Sequence, residues 1–186
     1  QMGTPVIGTN FVDQGFLSST IIKKDGIRIA ILGVMDEYAI KYYPEEIRAK
    51  IKLLDPVESI KNEMSRLNNK VDVFILLSHN GVDLDKSIAK KLNGLDVIVG
   101  SHSQSTIESP KEVNGTLIAQ AGKAGYYIGV VELSIKNGKV VEKSGKIDTM
   151  KFEMPDDPKI MKLIEEYEQT TGRMNRNKQK MMKAKN

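Results

Sequence analysis

The sequence predicts an α/β protein with mixed sheets and hairpins. Three observations carry that prediction. A strand–helix–strand unit runs from Val73 to Val99, Asp25-Gly26 and Asn137-Gly138 each separate two β-rich runs, and Asp55-Pro56-Val57-Glu58 opens a helix. Short apolar runs bounded by turn residues read as buried strands.

Taken in order, Pro5 to Phe11 (PVIGTNF) reads as a strand. Ser19 to Lys24 and Ile27 to Val34 flank Asp25-Gly26, a dipeptide suited to the positive φ angles of a two-residue hairpin turn. Tyr38 to Leu54 is ambiguous, with Pro44-Glu45-Glu46 either starting a short helix or belonging to a loop. Asp55 is an N-cap acid, Pro56 sits at the first helical position and Glu58 follows the cap by three residues. Ile60, Met64 and Leu67 then keep helical spacing, and Asn68-Asn69 ends the segment. Val73 to Leu77 is a buried strand, Leu84 to Leu92 a helix stopped by Asn93-Gly94, and Val97 to Val99 a second strand. Such a unit is expected to be parallel and right-handed. Thr116 to Ala121 and Tyr127 to Ile135 read as strands, and Asn137-Gly138 turns into a further strand, Lys139 to Lys146. Beyond Pro155, an amphipathic helix begins near Asp157 with Ile160, Ile164 and Tyr167 on one face. Two regions are therefore expected, 1–150 and a helix with a basic tail over 151–186.

The 186 residues, 40% hydrophobic and 28% charged, suffice for a real core. No apolar stretch is long enough for a bilayer span. The absence of cysteine excludes disulfides and thiolate metal sites. The net charge of +4 belongs to the tail, where Arg173, Arg176, Lys178, Lys180, Lys183 and Lys185 stand without an acid and leave −2 for the rest. No aromatic residue interleaves those cations, so a nucleic-acid stacking platform is not expected.

The chain has two histidines, and each follows an apolar run into a small polar loop: Ser78-His79-Asn80-Gly81 and Gly100-Ser101-His102-Ser103-Gln104. Ligand chemistry in α/β sheets gathers at the carboxyl ends of strands. Two imidazoles delivered there look like half of a metal site, to which Gln104 can add a carbonyl oxygen. Neutral imidazole with oxygen suits zinc, manganese or iron(II). Asp83 and Asp85 are expected to cap the following helix.

The segments LLSHNGVDLD, LDVIVGSHSQ and NGTLIAQAGKAGYYIGVVEL, with PVIGTNF and GIRIAILGV before them, resemble the calcineurin-like metallophosphoesterase superfamily over residues 5 to about 150. Within it they are similar to the branch of 5′-nucleotidases and 2′,3′-cyclic-nucleotide phosphodiesterases. The resemblance implies a four-layer α/β/β/α sandwich with two divalent metal ions (zinc, manganese or iron) at the strand ends. His79 resembles the ligand of the family's Ser-His loop and His102 the first histidine of its Gly-His-x-His loop. Gln104 stands where many members carry a second histidine and periplasmic nucleotidases commonly carry glutamine. The implied substrate is a nucleotide or other phosphate ester, and the implied location is periplasmic or extracellular; no substrate-binding residue is assigned.

The family's first half supplies Asp-x-His, a bridging aspartate after glycine, and Gly-Asn-His-Glu. This chain has neither Asp-x-His nor Asn-His-Glu, and Asn10 lies in a strand-like segment. The chain therefore reads as the C-terminal half of a catalytic domain. It is expected to be inactive alone and to need the N-terminal half from the same gene or a separate chain. The alternative is a truncated or degenerate domain serving as a scaffold or interaction module.

Overall fold

The computed structural model describes residues 4–12, 14–151 and 153–172. It divides into two units, 1–150 and 151–186. The first is organised by a six-stranded mixed sheet. Strands β2 (Ser19–Lys24) and β3 (Ile27–Met35) form an antiparallel hairpin. Asp25 and Gly26 hold φ of 50° and 79°, the left-handed pair such a turn requires. β3, β5 (Val73–His79), β6 (Val97–Gly100) and β8 (Thr116–Ala119) run parallel in that order, and β7 (Lys111–Val113) closes the edge antiparallel to β8.

Helices α2 (Pro56–Leu67) and α3 (Val82–Lys91) supply the crossovers and cover one face. Asp55 caps α2 by accepting from the Glu58 amide at 2.8 Å, as its sequence predicts. Cα register puts Leu32, Leu76, Ile98 and Ile118 side by side on the helix-facing side, where they pack with Ile60, Ile88 and Leu92. Leu32, Leu76 and Ile98 are wholly buried.

The opposite face is covered unevenly. A separate two-stranded sheet, β9 (Tyr127–Lys136) and β10 (Lys139–Thr149), lies near the strand starts, where Lys143 pairs with Asp96 at 3.4 Å. Val73, Val97 and Leu117 are buried on this side. Towards the strand ends, Leu77 and Val99 remain 45% and 42% exposed. They line a cavity of about 790 Å³ with Ile7, Phe11, Phe16 and Met35.

The strand expected over Pro5 to Phe11 is not formed. Ile7 makes a lone bridge to Leu17, and only β1 (Phe11–Val12) pairs, with β4 (Lys52–Leu53). Asn10 explains the departure. Its buried side chain spends its amide on the Met35 and Leu54 carbonyls and accepts from the Met35 amide, tying the segment across β3 instead of along a neighbour. The ambiguous stretch resolves into a 3₁₀ turn, Glu37–Ile40, and the short helix α1 (Glu45–Arg48).

The second unit contains α4 (Pro158–Thr171), capped by Asp157 and ended by Gly172 at φ 63°. Ile160, Ile164 and Tyr167 are all exposed. The basic residues from Arg173 onward lie outside the described residues.

Candidate metal centre at the strand ends

The parallel strands bring both histidine loops to one end of the sheet. Ser78 pairs in register with Gly100, so β5 delivers His79 one residue beyond the point where β6 releases Ser101 and His102. His102 Nδ1 lies 3.4 Å from His79 Nε2, with the rings edge to face and centroids 5.1 Å apart. Two nitrogens bound to one zinc at about 2.0–2.1 Å and a tetrahedral angle stand about 3.3–3.4 Å apart. As the rings stand, the contact is a hydrogen bond between them, and its length is also the spacing of two nitrogens on one cation. Burial, then the neighbouring His102 charge, pushes the His79 pKa below its ordinary value, which favours the neutral ring that ligation needs.

The loop after β6 is held in an uncommon backbone. His102 and Gln104 take φ of 68° and 55°, left-handed conformations that non-glycine residues adopt rarely and that concentrate at functional sites. Gln104 is exposed and shares this loop with His102. Gly81 precedes α3 at φ 86°, a conformation that favours glycine; a Cβ there would make only ordinary contacts, 3.5 Å from Ser103 and 3.8 Å from the His102 ring, so the backbone and not the space calls for glycine. Tyr38, on the 3₁₀ turn, sets its ring edge-on to His102 at 6.2 Å and carries Lys41 Nζ 3.3 Å over its face.

The capping expected of Asp83 and Asp85 is not found. The N-cap of α3 is Gly81, without a side-chain bond. Asp83 is exposed and pairs with Lys86 at 3.2 Å. Asp85 is fully buried and accepts from the Ser78 hydroxyl. Its position, three and four residues before Ile88 and Ala89, puts it on the core face of the helix. That spacing is readable in the sequence. Among the described residues, no group of three or more His, Cys, Asp or Glu side chains is placed to hold one ion.

Comparison with known proteins shows what the chain is related to. No family model matches the chain. It is 37% identical to the uncharacterized metallophosphoesterase YunD of Bacillus subtilis over 60% of its own length and 23% of that protein. It is 30% identical to an apyrase of Aedes albopictus, covering 87% of this chain and 34% of the other. The chain is a metallophosphoesterase homologue.

Its fold agrees. The crystal structure of a 5′-nucleotidase precursor from Thermus thermophilus superposes with a TM-score of 0.76 at 24% identity, over 89% of this chain and 38% of that one. The homologue thus spans about a quarter to a third of the curated relatives it matches. The mixed α/β class expected from the sequence is the class of these phosphoesterases. Their name brings a metal with it, and the His79–His102 spacing is consistent with one.

Sequence reasoning missed the polar residues behind the imidazoles. Ser101 Oγ stands 2.8 Å from His79 Nδ1 and 2.7 Å from the Ser78 carbonyl. Ser103 bonds both the Val82 amide and Gln120 Oε1. The signal available was only that serine flanks both histidines, Ser78 before His79 and Ser101 and Ser103 on either side of His102.

Proposed function

We propose that this chain is the later part of a dinuclear-metal phosphoesterase catalytic domain acting on nucleotide-type phosphate esters. His79 Nε2 and His102 Nδ1 would hold one of two divalent ions (zinc, manganese or iron), and Gln104 would offer its carbonyl oxygen to the centre. The observation that carries the reading is the 3.4 Å separation of the two ring nitrogens at the strand ends. Names among the relatives, apyrase and 5′-nucleotidase, support the substrate class. Location outside the cytoplasm, periplasmic or extracellular, is part of the same proposal.

When bound, the ions would supply a lowered water pKa and stabilisation of phosphoryl charge. The chain's own part is narrower. The depressed His79 pKa keeps a lone pair ready at neutral pH. The left-handed loop carries His102 to within 3.4 Å of His79, the last residue of β5.

The remaining ligands would come from the N-terminal half of the domain, seated over the open end of the sheet. Leu77, Val99, Phe11 and Phe16 give that half an apolar floor beside His79. Titration calorimetry with zinc or manganese, alone and with the N-terminal polypeptide supplied, tests this. Weak binding alone, tight binding together and phosphatase activity lost in His102→Ala are expected. Leu77→Glu should block docking while leaving the chain folded. A partner that binds yet restores neither metal uptake nor hydrolysis would favour the scaffold alternative.

A further inference from the structure

We infer that Ser101 is a positioning residue that fixes the His79 ring as its Nδ1–H tautomer and so makes Nε2 the ligating nitrogen. The inference rests on the proposed metal reading only for its consequence; the tautomer follows from this chain's own hydrogen bonds.

A serine hydroxyl carries one proton. Ser101 Oγ lies 2.7 Å from the Ser78 carbonyl oxygen, a group that only accepts. The hydroxyl proton must point there, since otherwise two lone-pair oxygens would face each other. With its proton committed, Ser101 Oγ is left as an acceptor towards His79 Nδ1 at 2.8 Å. The ring must then donate from Nδ1, which strips the proton from Nε2 when the imidazole is neutral. That bare nitrogen faces His102.

A second consequence concerns His102. Without a cation, two bare nitrogens at 3.4 Å would repel, so His102 donates from Nδ1 into His79 Nε2. A cation between the rings would replace that proton and move His102 to its Nε2–H form, while His79 keeps the tautomer Ser101 imposes. Partners that orient a ligating histidine in this way typically carry about 10–100-fold in metal affinity.

Long-range ¹⁵N–¹H spectroscopy of the ¹⁵N-histidine-labelled full chain tests this, and two histidines make the spectrum simple to assign. At pH 8 without metal, His79 should show a protonated Nδ1 and a bare Nε2. Ser101→Ala should return His79 to the Nε2–H form, and Ser101→Thr, which keeps the hydroxyl, should preserve the native pattern. Added zinc should change only the His102 tautomer, with about 10–100-fold weaker uptake in Ser101→Ala. An Nε2–H His79 in the unmodified chain overturns the inference without any variant, as does a Ser101→Ala chain whose His79 tautomer is unchanged. A Ser101-dependent Nδ1–H tautomer in a chain that takes no metal, with or without its N-terminal half, upholds the positioning role and overturns the metal reading.

Discussion

The two ends of β5 are built on opposite terms. At its start, Asp72 accepts from the Arg28 amide at 2.8 Å and from the Arg28 guanidinium at 2.7 and 3.0 Å. Those bonds pull its pKa down to about 2. Past its end, Asp85 accepts one bond from Ser78, while its second oxygen, both side-chain polar atoms of Asn80 and the Gln120 side-chain nitrogen have no partner among the described residues. Burial pushes the Asp85 carboxyl up to about 6. Native proteins leave few buried polar atoms unpaired, and local violations gather where function outweighs stability. The amino end fastens the sheet. The carboxyl end, directly behind His79 and His102, carries polar capacity that folding alone does not use.

Asp85→Asn tests that contrast most strongly. A carboxyl whose folded pKa lies above its unfolded value favours folding below the unfolded pKa and loses that contribution as pH rises. Across the interval from about 4 to about 6, a shift of roughly two units corresponds to about 3 kcal/mol. Urea unfolding of the metal-free chain should therefore show Asp85→Asn gaining about 3 kcal/mol on wild type between pH 3 and pH 8, whatever constant offset the amide introduces. Parallel pH profiles would erase the difference between the two ends.

Gly100→Ala sharpens the comparison sterically. A Cβ at position 100 would fall 2.4 Å from Asp85 Oδ2, closer than real contacts allow. Overpacking of this kind costs about 1–3 kcal/mol. Because the clash is with one named oxygen, Asp85→Ala in the same chain should recover most of it in a double-mutant cycle. Additive costs would mean that the backbone, and not the buried carboxyl, sets the limit.

The unevenness also explains what the sequence could and could not disclose. Asp25-Gly26 and Asn137-Gly138 announced their hairpins because the chemistry of a tight turn is local; the latter pair holds φ of 53° and 70°. Asn114-Gly115 has the same signature at 50° and 77°, yet β7 before it is three residues, two of them charged, and escapes any periodicity argument. Pro5 to Phe11 has strand-like composition, but the bonds of Asn10 reach residues 25 and 44 positions away. At the candidate site the two histidines were legible, because a buried strand ending in a polar loop is a sequence pattern. The role of Ser101 was not: it depends on loops 22 residues apart meeting. For Asp85 the inward face was readable from its spacing to Ile88, but its single partner, the Ser78 hydroxyl across on β5, was not.

Asp72→Asn is the smaller test and runs in the opposite direction with pH. A carboxyl held below its unfolded pKa contributes stability that is complete above that value and disappears as pH falls through the folded pKa. The loss in Asp72→Asn should therefore be full at pH 5 and shrink towards nothing as pH approaches 2. The pair is only partly shielded, with the Arg28 side chain 39% exposed, so salt should weaken the effect. Urea midpoints at pH 2.5 and pH 5, each in low and high salt, measure it. Opposite pH slopes for the two aspartate variants would establish that β5 begins at a satisfied charge pair and ends at an unsatisfied one. A loss in Asp72→Asn that persists at pH 2 would instead assign Asp72 a packing role, and the contrast would then rest on Asp85 alone.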